Sequence, residues 1–143
     1  MLPLEGLTVV TLEHAIAGPF ATRQLADLGA RVIKVERPGS GDFARGYDHR
    51  VRGLASHFVW TNRSKESITL DVKHPDGAAA LQRLVLEKAD VVVQNLAPGA
   101  AAPGPRFCTN TSARSSSSSR ICRPSADLRS RVSDSLLRLS QTK

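Results

Sequence analysis

Residues 7–37, LTVVTLEHAIAGPFATRQLADLGARVIKVER, decide how the rest of the chain is read. Leu7 to Leu12 is a short β-branched run of the kind a buried parallel strand needs. Ala17, Gly18 and Pro19 break it, and Pro19 suits the first turn of a helix, where a missing N–H is harmless. Ala21, Leu25 and Leu28 recur at helical spacing and predict the face turned to a sheet. Gly29 fits the left-handed residue after a helix end, and Arg31 to Glu36 reads as a second strand. A helix between two strands implies a parallel βαβ unit with a right-handed crossover.

A second unit follows. Pro38-Gly39-Ser40-Gly41-Asp42 is a loop by composition. Residues 43–60 carry Arg45, Arg50, Arg52, His49, His57, Phe58 and Trp60 without a clear period, as in an irregular excursion over a binding face. Ser67 to Val72 alternates as a third strand. Pro75 and Asp76 open a helix from Gly77 to Lys88, with Leu81, Leu84, Val85 and Lys88 on one stripe. Ala89 to Gln94 is a fourth strand, ended by the loop Asn95 to Gly99. The expected fold class is α/β, with Rossmann-like βαβ units and a mostly parallel sheet.

The net charge of +7 is unevenly spread. Residues 1–102 are close to neutral at +1, while residues 103–143 carry +6 together with eleven serines. Such a segment buries too little apolar area to offset its ordering entropy. The expected organisation is a domain over 1–102 and a disordered basic Ser/Arg-rich tail over 103–143. No apolar run reaches the roughly eighteen residues a membrane span needs. Glu5 and the lack of a basic leader argue against a signal peptide. Cys108 and Cys122 have neither metal-ligand nor secretory disulfide spacing, so a cytoplasmic protein without a metal is expected.

Glu36 ends the second strand, where dinucleotide-binding Rossmann domains keep the acid that holds ribose. The turn Glu13 to Pro19 lacks the G-x-G-x-x-G pattern, so a pyrophosphate cannot approach it in that manner and NAD is not expected. Arg37 stands at the carboxyl edge of a parallel strand, where open α/β sheets bind ligands. Its guanidinium either stacks on an adenine, clamps a phosphate or is an ordinary surface arginine. Lys73 offers the same choice after the third strand. His14 is a general base or a structural histidine, with no serine or cysteine partner at a diagnostic spacing.

Four motifs in order resemble the opening of family III CoA-transferases, the CaiB/BaiF, formyl-CoA-transferase-like family. They are Leu4-Glu5-Gly6-Leu7 with Ala17-Gly18-Pro19; Leu28-Gly29-Ala30 with Val32 to Asp42; Asn62-Arg63-Ser64-Lys65 leading into Ser67 to Asp71; and Ala89 to Asn95 followed by Pro98-Gly99. The resemblance covers about residues 3–102. It implies an acyl-CoA protein with a Rossmann-like domain, built as an interlocked homodimer. It further implies that Ile16 and Ala17, Arg37, the stretch Leu70, Asp71, Val72 and Lys73, and the stretch Asn95, Leu96 and Ala97 contact coenzyme A. Acyl-CoA and a small carboxylic acid are the implied substrates. Some members carry glutamine where Ile16 stands, near the acyl end, and isoleucine supplies no side-chain hydrogen bond.

In the family a much later aspartate attacks the acyl-CoA carbonyl, giving a mixed anhydride and then an aspartyl-CoA thioester. Here Pro103-Gly104-Pro105 stands where an arginine-leucine-glycine segment is expected, and Asp127 and Asp134 sit in Arg/Ser-rich surroundings. No catalytic residue is therefore assigned. The expectation is an N-terminal fragment, inactive alone, with a change of reading frame or a gene-model error near codon 100, or else an authentic alternative tail. A membrane or nucleic-acid partner is not expected of the body. The competing class is a non-enzymatic protein that binds RNA or an acidic partner through its basic tail.

Overall fold

The computed structural model describes residues 1–96 and the backbone of residues 120–122. Strand β1 (Thr8–Leu12) leads into helix α1 (Ala17–Asp27) and strand β2 (Arg31–Glu36). A 3-10 turn (Phe43–Gly46) and helix α2 (Ser56–Asn62) precede strand β3 (Lys65–Thr69). Helix α3 (Pro75–Lys88) and strand β4 (Val91–Gln94) complete the second unit, and β5 (Arg120–Cys122) pairs with β4. The sheet order is β3-β2-β1-β4-β5, parallel except for the antiparallel β4–β5 pair. The fold is α/β with a mostly parallel sheet, as expected. Apart from β5, the tail expected over 103–143 lies outside the described residues.

The first βαβ unit closes as its sequence predicts. β2 has the expected limits, and Pro19 lies in the first turn of α1. At the other end Gly29 takes φ 102°, its N–H donates to the Ala26 carbonyl, and the Ala30 N–H donates to the Leu25 carbonyl. That pair of bonds is a Schellman cap. A side chain at Gly29 would also meet Leu2 Cβ at 2.5 Å, so glycine is required twice over.

Several expectations shift, among them the start of β1, at Thr8 rather than Leu7, and of β4, at Val91 rather than Ala89. The sheet-facing side of α1 is not Ala21 and Leu28, both exposed, but Gly18, Thr22, Leu25 and Ala26. Apolar spacing missed it because two of these positions are a glycine and a threonine engaged in a polar contact. β3 runs Lys65–Thr69 instead of starting at Ser67. The Leu70 N–H still donates to the Glu36 carbonyl, after which Leu70 and Val72 continue into the core from a turn rather than a strand. α3 begins at Pro75, two residues early, because His74 Nδ1 accepts the Asp76 N–H and caps it. On its stripe Leu81 and Val85 are buried while Lys88 is exposed.

The two faces of the sheet differ. On one, Val10, Leu12, Ile33, Val35 and Val92 pack against Leu81, Val85 and Ala89 of α3 and its end. On the other, Val9, Val32 and Val93 pack under Leu25 and Ala26 of α1, near the amino ends of the strands. Toward the carboxyl ends that second face turns ionic.

Candidate functional site

Because β1 to β4 are parallel, the segments that follow them leave the same edge. These are Glu13–Ile16 after β1, Arg37–Asp42 after β2, Leu70–His74 after β3 and Asn95 onward after β4. The chain passes from β1 to β2 and β3 in one direction, then returns through α3 to β4 on the other side of β1. Such a reversal leaves a crevice at the carboxyl edge, where open α/β sheets hold ligands.

The described residues among those expected to contact a ligand lie in the segments that follow the strands at this edge. Ile16 is 57% exposed at the head of α1 and provides no side-chain cap for the amides of the first turn. Arg37 is exposed, and its Nε donates to the Gly41 carbonyl at 2.9 Å. It borders an open cleft of about 230 Å³ with Glu36, Gly39, Ser40, Arg45 and Thr69. Leu70, Asp71, Val72 and Lys73 form the turn into α3, where Asp71 Oδ1 accepts the Lys73 N–H at 3.0 Å. Gly77 packs against this turn so closely that a side chain there would collide with the Asp71 carbonyl. Asn95 bridges to the loop after β1, and the half-buried Leu96 donates its N–H to Gln94 Oε1 at 3.0 Å. Ala97 lies outside the described residues. Glu36, the position of a ribose-binding acid, is 4% exposed and engaged by Arg45, Ser67 Oγ and the Asp42 N–H. Burial pushes its carboxyl up, but these donors outweigh it and hold it at about 2.

Beneath the loops lies an ionic layer. Lys65 Nζ donates to Glu13 Oε1 (2.8 Å), the Pro19 carbonyl (2.8 Å) and Asn62 Oδ1 (3.1 Å). Lys34 Nζ donates to Asp42 Oδ2 (2.6 Å) and Asn62 Oδ1 (2.9 Å). Thr22 Oγ sits 2.9 Å from both Glu13 oxygens and places its one proton there. The two ion pairs are buried on both sides, at 1%/0% and 2%/0% exposure. Burial lowers the Lys65 ammonium against the opposing pull of Glu13, and the Asp42 carboxyl is lowered because Lys34 and two backbone amides outweigh its burial. Sequence reasoning missed this layer, although Lys34 inside the apolar run VIKVE was its visible trace.

Around the head of α1 runs an arc of rings, His14, Phe43, Tyr47, His57, Trp60 and Phe20, with centroids 5.5–6.1 Å apart. Arg23 lies over Trp60 and Arg45 over Phe58, at 4.9 and 4.0 Å. Residues 43–60, without a period in the sequence, thus supply four of the six rings of this arc. His14 Nδ1 and His57 Nε2 are buried without a hydrogen-bond partner. Among the described residues, no group of His, Cys, Asp and Glu is arranged to hold a metal ion, and no helix is long and apolar enough to cross a membrane.

Fold and edge together define an open α/β domain whose post-strand loops leave one sheet edge, with Arg37 and Arg45 bordering a cleft beside the ends of β2 and β3. The chain belongs to CoA-transferase family III, whose profile matches residues 4–103. It is 45% identical over 97 residues to an acetyl-CoA:oxalate CoA-transferase from Acetobacter aceti, covering 68% of this chain and 25% of that protein. It is 45% identical over 100 residues to a succinyl-CoA:glutarate CoA-transferase from Mus musculus, covering 69% and 23%. A crystal structure of a CAIB/BAIF family protein from Brucella suis superposes with a TM-score of 0.62 at 44% identity, over 68% of this chain and 27% of that one. The chain therefore spans about a quarter of the length of the curated relatives it matches.

Proposed function

We propose that the carboxyl edge of the sheet is the coenzyme A side of an acyl-CoA site, used for transfer of CoA between an acyl-CoA and a small carboxylic acid. Ile16 and Ala17, Arg37, Leu70 to Lys73, and Asn95 to Ala97 are its segments. The observation that carries this reading is convergence: turns up to 81 residues apart in sequence meet at one sheet edge, with an uncapped helix N-terminus among them. Arg37 offers a planar cation for an adenine or phosphate, and Lys73 a point charge. The head of α1 suits a phosphate oxygen. Ile16 gives the acyl end an apolar contact instead of a hydrogen bond.

The 143-residue chain alone binds without turning over. Covalent CoA transfer needs a free carboxylate at the thioester carbonyl. The buried carboxylates at this edge are engaged: Glu13 by Lys65 and Thr22, Glu36 by Arg45, Asp42 by Lys34. The larger part of the relatives' length has no match here, and we assign the nucleophile to it. The homodimer implied by the family gives the half-exposed Phe20, Phe43, Tyr47 and Trp60 a surface to pack against.

Calorimetric titration of the chain with CoA tests the binding half. Saturable binding is expected, weakened about five- to tenfold by Arg37→Ala and by Lys73→Ala, as for a lost charge-assisted contact. No heat at millimolar CoA, or unchanged affinity in both variants, contradicts it. Mass spectrometry after incubation with an acyl-CoA and hydroxylamine should find no trapped adduct.

A further inference from the structure

Asn95 grips the neighbouring loop by its backbone. The His14 N–H donates to Asn95 Oδ1 at 2.9 Å, and Asn95 Nδ2 donates to the His14 carbonyl at 2.9 Å. One side-chain amide thus satisfies both polar backbone groups of one residue, across two adjacent strands. The next amide, Ala15 N–H, donates to Asp42 Oδ1 at 3.3 Å. Asp42 is itself fixed from below by Lys34.

The turn so held is one the chain does not favour. Ala15 has φ 59°, a left-handed conformation that is disfavoured for a residue with a Cβ. Gly18 lies against the grip, where a side chain would come within 3.0 Å of both Asn95 Cγ and Glu13 Cβ. Partners from the loops after β2 and β4 therefore converge on His14 and Ala15, just ahead of the N-cap Ile16 of α1.

We infer that Asn95 and Asp42 are positioning residues. They clamp His14 and Ala15 in the left-handed turn and so fix where the first-turn amides of α1 point. The ligand rests on the CoA reading above; the clamp does not. On this account the side-chain amide of Asn95 serves CoA binding through the shape of the neighbouring loop, while its backbone stays part of the CoA edge.

The decisive variants are Asn95→Ala, Ala15→Gly and the two combined, in the full chain. Amide hydrogen exchange at His14 and Ala15 reads the clamp, and calorimetry with CoA reads its use. In Asn95→Ala both amides should exchange at least about tenfold faster while β2 stays protected, and CoA affinity should fall about tenfold as the competent turn becomes a minor state. Glycine takes the left-handed conformation freely, so adding Ala15→Gly should recover several-fold of that affinity. Loss of affinity without faster exchange and without rescue makes Asn95 a direct ligand contact and overturns the inference. Unchanged protection in Asn95→Ala overturns it whether or not CoA binds. Protected amides that open in Asn95→Ala, in a chain with no CoA affinity, support the clamp and overturn only the ligand reading. Should Asn95→Ala not fold, Asn95→Ser keeps a small polar side chain too short to make both bonds to His14; faster exchange of the His14 amide there supports the clamp, and wild-type exchange contradicts it.

Discussion

The two faces of one sheet are built from alternate residues of the same strands, yet they do different work. Val10, Leu12, Ile33 and Val35 face α3 and make a dry contact. Their neighbours Thr11, Lys34 and Glu36 point the other way, and with Glu13 and Lys65 they form a charged layer that is just as buried. The dry face explains why the chain folds. The ionic face explains why the loops above it hold one shape, since Lys65 ties Glu13 to the first turn of α1, and Lys34 ties Asp42 to α2. Non-directional burial suffices to hold a helix on a sheet, whereas fixing loop backbone needs bonds with direction.

The comparison breaks most visibly where one ion is left alone. Lys65→Met should destabilise the chain by about 3–5 kcal/mol, because Glu13 keeps its buried charge without a cation. Adding Glu13→Gln should return more than half of the loss in urea unfolding. A cost below about 1 kcal/mol for the single variant would show that the layer opens to water. On the dry face, Leu81→Ala should cost about 2–4 kcal/mol through a cavity, with no dependence on pH between 3 and 7 attributable to that site.

A smaller effect sharpens the contrast with acid. The fold holds the Glu36 carboxyl at about 2 against an ordinary 4.5, so it favours the ionised form. The stability this gives is complete above about pH 4.5 and is lost as pH falls toward 2. Its size is on the order of 2–3 kcal/mol. Glu36→Gln should flatten the fall in urea midpoint over that range. A slope equal to wild type would place the acid-sensitive group elsewhere, with Asp42 the next candidate.

What the sequence displayed and what it hid divide along the same line. β1, α1 and β2 were legible because Val9, Val10, Val32, Ile33 and Gly29 follow rules of period and backbone conformation that act over a few residues. That the segments after each strand share one edge is legible because a parallel sheet places all such ends together. The ionic layer was not, since Lys65 meets Glu13 across 52 residues and no local rule pairs them. The resemblance points to Asn95, but its grip on His14 spans 81 residues and depends on a strand order that sequence alone leaves open. The alternation places β3 two residues late because Lys65 is a charged residue at the start of a strand, and its partner Glu13 lies beneath α1.

The central claim is that the carboxyl edge of the sheet receives CoA. Nitrogen-15 amide spectra of the chain titrated with CoA test it most directly. The account predicts shifts at residues 14–18, 37–41, 70–74 and 95–96, with Gly6, Ala30 and Lys88 to Asp90 at the opposite edge unmoved. Shifts centred on that opposite edge or on the outer surface of α3, or none at saturating CoA, would contradict it.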